Sequence, residues 1–240
     1  MKSIKQFNFI VVGLGSIGKN LAKYLLSKNL KIKIWDKNSY KTNIICKELG
    51  IKFNNSFTKN IEKKNNILIL AINSGPTVDE YLSKYLRSLK KIDFVIDIGN
   101  NHPEDTIRRF NYLKKQKINY INPGFSGGID GALGKASLML SCKNIEFEKL
   151  KEIFCLLVGN ENKKSLKLVG NKPNAGNYVK IAHNAIEYAI IQSIADFYFI
   201  SKEIFGLKNK NIVEEINYIK SQIKNCYLLN ITEDILKKKK

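Results

Sequence analysis

Residues 7–18, FNFIVVGLGSIG, constrain this chain more than any other stretch of it. An apolar, β-branched run ends in Gly13, Gly15 and Gly18, and a helical pattern follows. In that context the first glycine permits a tight strand-to-helix turn, the second lets backbone approach a pyrophosphate, and the third allows close packing of helix on strand. Ser16 and Ile17 open the helix, where free N–H groups and the positive dipole end face the phosphates. The glycine spacing alone is weak evidence. It gains weight from KIKIWDKN, which puts Asp36 at the end of a second strand, 18 residues beyond Gly18. A carboxylate there can hold the adenosine ribose hydroxyl of NAD and repel the 2′-phosphate of NADP, whereas the neighbouring Lys37 could accommodate that phosphate. The turn reads as a nicotinamide dinucleotide site for NAD or NADP, with Asp36 favouring NAD.

The rhythm after the turn supports a sheet built for such a ligand. Runs at 7–12, 31–35, 67–72, 93–98 and 118–122 alternate with helical segments such as 17–28, 77–89 and 103–115. That alternation predicts an α/β fold, a Rossmann-type doubly wound parallel sheet with crossover helices. From about Asn174 the pattern is helical only, and the first of these helices runs to about Phe205. The expected organisation is a dinucleotide-binding domain over 1–173 and a shortened all-helical domain over 174–240.

Composition excludes several classes. No apolar run is long and uncharged enough to span a bilayer, so no membrane partner is expected. The lysines at 2 and 5 before an apolar stretch could open a signal peptide, but the glycine turn explains that stretch better. Cys46, Cys142, Cys155 and Cys226 have neither C-x-x-C spacing nor paired histidines, so they signal no metal site or disulfide framework. They read as buried thiols in a reducing cytoplasm. The formal net charge of +20 would ordinarily raise nucleic-acid binding, but only Arg87, Arg108 and Arg109 are arginines and the lysines are spread throughout. A solvated lysine surface is the better reading, without a nucleic-acid partner. Asp79, Asp97, Asp105, Arg108 and Arg109 read as structural groups, helix-terminal and salt-bridging.

Three later stretches say which dinucleotide chemistry to expect. DIGNNHPEDTIRR (97–109) and NPGFSGGIDGALGKASLM (122–139) each follow a strand, where the carboxyl ends of strands meet a ligand crevice. GNYVKIAHNAIEY (176–188) is helical and places Lys180, His183, Asn184, Glu187 and Tyr188 within an arc of roughly 140°. Ile181, Ala182, Ala185, Ile186 and Ala189 fill the remaining surface, so a mostly buried helix with a polar stripe facing a cleft is expected. Together the three stretches closely resemble the decarboxylating 6-phosphogluconate dehydrogenases, from about Phe9 to Leu236.

The resemblance implies oxidation and decarboxylation of 6-phosphogluconate, a homodimer and a cytoplasmic enzyme. It implies Lys180 as the base that takes the substrate hydroxyl proton and Glu187 as the acid that protonates the carbon losing carbon dioxide. A lysine partly desolvated in a cleft is usable as a base. By the same resemblance Ser126, Gly127 and Gly128 hold the substrate carboxylate and a neighbouring hydroxyl. Asn100, His183 and Asn184 position substrate and nicotinamide, so Asn100 serves both ligands, and Tyr188 reaches the substrate phosphate. Asn177 stands where the family usually has His, Ala185 where it has Gly, Lys135-Ala136 where it has Gly-Pro, and Leu140-Ser141 where it has Pro-Gly. Family members also continue past NITEDILKKKK, through a Lys-Gly-Thr-Gly-type motif and further Arg and His residues that grip the sugar phosphate. The expectation is a truncated member with weak turnover. The other readings are an inactive nucleotide-binding remnant and a β-hydroxyacid dehydrogenase, which shares the Rossmann domain, a Ser-Gly-Gly loop and a catalytic lysine.

Overall fold

A computed structural model describes residues 4–159, 164–223 and 226–238. Lys239 and Lys240, half of the terminal lysine run, lie outside them. The described chain forms two compact units that divide between Ile181 and Ala182.

The first unit is built on a five-stranded parallel sheet of order β2-β1-β3-β4-β5. Its strands are β1 (Asn8–Val12), β2 (Lys31–Trp35), β3 (Asn66–Leu70), β4 (Phe94–Asp97) and β5 (Tyr120–Ile121). Burial on both faces explains why β1 and β3, after an opening asparagine, are continuous apolar runs. Phe9, Val11, Ile67 and Ile69 enter one core, while Ile10, Val12, Leu68 and Leu70 enter the other. The helices between them are α1 (Ser16–Ser27), α2 (Ser39–Leu49), α3 (Pro76–Lys84), α4 (Leu86–Leu89) and α5 (Pro103–Lys115). The single helix expected over 77–89 is interrupted at Tyr85, whose ring packs 4.8 Å from Phe57 and 5.7 Å from Trp35.

A second sheet follows that the sequence pattern does not announce. After β6 (Gly124–Ser126) come the short helix α6 (Gly128–Asp130), β7 (Ser137–Ser141), α7 (Asn144–Val158) and β8 (Leu166–Gly170). The order is β6-β7-β8, with the first pair antiparallel and the second parallel. Its strand β6 is three residues long and glycine-bearing, too brief for an alternation to register.

Helix α8 (Ala175–Phe199) begins in the first unit and continues into the second, which also holds α9 (Asn209–Gln222) and α10 (Tyr227–Lys238). The expectation of a mostly buried α8 is overturned. Only Gly176, Asn177 and Lys180 are buried, while Ile186 is 64 % exposed and Phe199 60 %. A helix is buried only where other elements cover it. Among the described residues, the second unit covers α8 near its end, where Ile194, Phe197 and Tyr198 pack on the α9–α10 core around Ile212 and Leu229.

One ion-pair cluster ties α3 to α5. Arg109 is 1 % exposed and donates to both carboxylate oxygens of Asp79, at 2.9 and 2.8 Å, while Arg108 also clamps Asp79 from outside. These guanidinium hydrogen bonds, Arg109's foremost, hold the Asp79 carboxyl well below the usual carboxylate range. Breaking a pair that leaves one charge buried is strongly destabilising. Asp79→Asn is therefore expected to lower unfolding free energy at neutral pH by about 3 kcal/mol, the low end of the range because Asp79 is partly solvated. A group with a depressed folded pKa stabilises above its unfolded value and loses that contribution as pH falls. The gap between variant and wild type in urea unfolding should thus be full above pH ~4 and shrink in stronger acid.

Candidate active site

The carboxyl ends of β1, β2, β3 and β4 open onto a crevice at the point where the chain, having placed β2 on one side of β1, places β3 on the other. Ligands of open α/β sheets bind at such a switch point. One cleft of about 400 Å³ is lined by Gly13, Gly15, Trp35, Asp36, Lys37 and Tyr85, among others. A second, of about 360 Å³, shares Gly15 and Ala71 with it and adds Ser16, Ile17, Gly99 and Asn100. The sequence-predicted cofactor residues other than Gly18 all line one cleft or the other.

The three glycines behave differently, as the fit of a dinucleotide requires. Gly13 has φ +88°, and a Cβ there would lie 2.3 Å from the Ala71 carbonyl oxygen. A Cβ on Gly18 would lie 1.8 Å from the Gly13 carbonyl oxygen, so α1 seats directly on the turn. Gly15, by contrast, faces open space, with no atom within 4 Å of its added Cβ. It is also the N-cap of α1 and offers no side-chain cap, which leaves the first helical N–H groups turned toward the cleft. The cradle fits a pyrophosphate.

Asp36 is in the expected place but is already engaged. Its Oδ2 accepts from the Leu14 N–H at 2.7 Å and its Oδ1 from the Asn38 N–H at 3.0 Å. Lys37, Lys41 and Lys84 line the same cleft, with Glu80 as the other acid. Trp35, Tyr81 and Tyr85 supply an aromatic wall within it.

The loop bearing Asn100 rests on a buried polar cluster. Asp97 is fully buried at the end of β4, and its carboxylate accepts from the Gly99 N–H, the Asn101 amide and the Tyr120 hydroxyl, each at 2.9 Å. Burial pushes its pKa up, with those hydrogen bonds opposing the rise. Asp97 is thus neither helix-terminal nor salt-bridging, in contrast to the pattern expected for it, because it closes a strand and takes neutral donors. Asp79, Asp105, Arg108 and Arg109 do form the expected ion pairs.

Lys180 and Ser126 come together. Lys180 is 8 % exposed and its Nζ donates to Ser126 Oγ at 2.8 Å. The turn of α8 that carries the lysine reaches β6 because both backbones lack side chains there: a Cβ on Gly124 would lie 2.6 Å from the Gly176 carbonyl oxygen. Gly127 and Gly128 follow Ser126 with φ of +123° and +55°, both solvent-exposed, so their backbone can be approached. His183, Asn184, Glu187 and Tyr188 belong to the second unit. There His183 Nδ1 lies 3.8 Å from Glu187 Oε2 and 3.4 Å from Asn184 Oδ1, and Tyr188 is 69 % exposed. Asn122 and Asn177, not singled out as site residues from sequence, are buried beside the Lys180 turn and hydrogen-bonded to each other at 2.9 Å. Only the unusual asparagine at 177 hinted at them. Among the described residues no cluster of three or more His, Cys, Asp or Glu could hold a metal, and no helix is long and apolar enough to cross a membrane.

Comparison with known proteins bears on the family and the fold. The NAD binding domain of 6-phosphogluconate dehydrogenase matches residues 8–161, and the C-terminal domain of 6-phosphogluconate dehydrogenase matches residues 176–240. The decarboxylating 6-phosphogluconate dehydrogenase of Staphylococcus epidermidis is 34% identical over 235 residues, which are 95% of this chain and 50% of that one. Its Staphylococcus aureus (strain N315) counterpart is 33% identical over the same coverage. The chain thus spans about half the length of the curated relatives it matches. The Plasmodium falciparum 6-phosphogluconate dehydrogenase, solved apo, with its cofactor NADP+ and with its substrate 6-phosphogluconate, superposes with a TM-score of 0.78 at 30% identity, covering 98% of this chain and 51% of that one. A Mycobacterium tuberculosis 3-hydroxyisobutyrate dehydrogenase shares the fold, with a TM-score of 0.72 at 17% identity over 92% of this chain and 72% of that one. Family matches over 8–161 and 176–240, carried by a chain that folds like the Plasmodium enzyme, place it in the 6-phosphogluconate dehydrogenase family.

Proposed function

We propose that this chain supplies the dinucleotide site and the acid–base residues for oxidative decarboxylation of 6-phosphogluconate to ribulose 5-phosphate. The observation that carries the reading is the Lys180–Ser126 contact, 2.8 Å long and largely shielded, next to the exposed backbone of Gly127 and Gly128. Neutral Lys180 takes the proton of the substrate's secondary hydroxyl, and Ser126 orients that amine and binds the substrate beside it. The bound nicotinamide dinucleotide supplies the hydride acceptor. Gly127 and Gly128 present N–H groups to the carboxylate that departs as carbon dioxide, and Asn100 positions substrate against cofactor. Glu187, paired with His183, returns a proton to the carbon left behind, and Asn184 and Tyr188 complete substrate contacts. A homodimer is part of this reading, supported by the uncovered apolar residues of α8. The enzyme acts in the cytoplasm.

The cofactor we assign is NADP. Both Asp36 oxygens already accept backbone N–H groups, which offsets the carboxylate's charge, and three lysines line the same cleft. This departs from the NAD preference that Asp36 suggests by its position alone. Lys37→Ala is expected to weaken NADP by about 10- to 100-fold in calorimetry while leaving NAD nearly unchanged, since one charge-assisted phosphate contact contributes about 1.5–3 kcal/mol. Equal losses for both cofactors would show that Lys37 does not meet the 2′-phosphate, and wild-type protein binding NAD more tightly would return the preference to NAD.

Turnover of purified protein with 6-phosphogluconate and each cofactor, run beside 3-hydroxyisobutyrate, tests the substrate. Activity on the sugar acid supports the reading; activity on 3-hydroxyisobutyrate alone assigns a β-hydroxyacid dehydrogenase; cofactor binding without either reaction makes the chain a nucleotide-binding remnant.

A further inference from the structure

We infer that Asn122 is a positioning residue whose single carboxamide sets both the Asn100 loop and the α8 turn that carries Lys180. It rests on the reading of Asn100 and Lys180 as site residues. Asn122 follows β5 and is 1 % exposed. Its amide nitrogen donates to the carbonyl oxygens of Asp97 and Gly99, so both N–H groups hold the backbone that leads into Asn100. Its oxygen accepts from the Asn101 amide at 3.2 Å, immediately after Asn100, and from the Thr106 hydroxyl at 2.8 Å. The same oxygen accepts from the Asn177 amide at 2.9 Å. Asn177 lies three residues before Lys180, one helical turn away. One planar group therefore joins the crevice loop, α5 and the start of α8.

The start of α8 needs such a tie. Its contact with the sheet is backbone on backbone: a Cβ on Gly176 would lie 2.2 Å from the Met139 carbonyl oxygen. Smooth glycine contacts resist separation but do little to oppose rotation of the helix about its axis. Two side-chain hydrogen bonds fix that rotation, Asn177 to Asn122 and the Gly176 N–H to Ser141 Oγ at 2.7 Å. With the rotation set, Lys180 Nζ falls on Ser126 Oγ. The pairing is also not what stability alone selects. Asn177 is 3 % exposed, yet among the described residues its Oδ1 has no hydrogen-bond partner, and an unmade buried bond is unfavourable. The amide cannot turn over to relieve it, because its nitrogen must face the Asn122 oxygen, whose own orientation is fixed by two carbonyl groups. An apolar side chain at 177 would avoid the orphaned acceptor and lose the tie.

The test uses the full chain, with Asn177→Leu to cut only the α8 tie and Asn122→Asp to put a carboxylate against two carbonyls. The first readout is the acetylation rate of Lys180 by acetic anhydride, relative to Lys37, mapped by mass spectrometry on folded protein. The second is NADP affinity by calorimetry. In Asn177→Leu, Lys180 should acetylate about tenfold faster with NADP affinity unchanged, whereas Asn122→Asp should show the faster acetylation and an about tenfold weaker NADP, the size typical of lost supporting hydrogen bonds at a site. A merely structural role would lower the unfolding midpoint of both variants without moving either readout. Readouts within about twofold of wild type in both variants overturn the inference. So does loss of the folded state in both, as judged by circular dichroism, since that would make the pair a folding determinant. If wild-type protein binds neither NADP nor NAD, the proposed function fails, and the Lys180 acetylation ratio still decides the positioning role.

Discussion

Lys180→Met is expected to reduce turnover by about 10²–10⁴-fold, the contribution of a positioned general base, while dinucleotide affinity stays within about twofold. The two effects separate because the amine lies on Ser126 Oγ, is not among the residues lining the cleft beside the glycine turn, and acts only when the substrate hydroxyl loses its proton. Methionine keeps most of the length and the apolar stem of lysine, so the packing is largely preserved and the loss reports on the amine. Steady-state kinetics and calorimetry on one preparation suffice. Undiminished turnover would remove Lys180 from the chemistry, and a parallel loss of cofactor binding would show that the substitution had disturbed the crevice instead. Ser126→Ala should give a smaller fall, since it withdraws one hydrogen-bond partner of the lysine but leaves the amine.

The legibility of this molecule follows the range of its interactions. The parallel sheet could be read because each strand announces itself locally: FNFIVV and NILIL are buried on both faces, and that demands unbroken apolar runs. The glycine turn could be read because its three positions serve three different short-range needs. The β6–β7–β8 sheet could not, since GFS has no room for a pattern and pairs with Ser137–Met139 across an intervening helical segment. Nor could Asn122, which is one asparagine among many and gains its role from partners up to 55 residues away. For α8 the local pattern actively misled. Isoleucines at 181, 186, 190 and 191 suggest burial, but a helix periodicity states only which residues avoid water if something covers them. Asp36 shows the same limit at the site: its position fits a ribose ligand, while its backbone hydrogen bonds to Leu14 and Asn38 depend on how the turn folds back.

The glycine cradle yields the other large effect. Gly18→Ala adds one methyl group at a point 1.8 Å from the Gly13 carbonyl oxygen and 3.2 Å from Ala71 Cβ. The oxygen belongs to backbone held at φ +88°, itself wedged against the Ala71 carbonyl, so it has little freedom to retreat. Helix α1 must move instead, and with it the N–H groups of Ser16 and Ile17. Strain of this kind costs about 1–3 kcal/mol of stability, since overpacking distributes over the neighbouring elements. Cofactor binding should suffer more than folding, because several amide groups lose their aim together, and a displacement of about 1 Å can cost 10²-fold in a positioned interaction. Gly15→Ala separates these two consequences. That residue faces open space and has an ordinary φ of −64°, so its methyl group should lower the unfolding midpoint only slightly, by the poorer N-cap that alanine makes, and still weaken dinucleotide binding by standing where a phosphate approaches. A Gly15→Ala protein with wild-type affinity for both NAD and NADP would place the dinucleotide elsewhere, whatever Gly18→Ala does to stability.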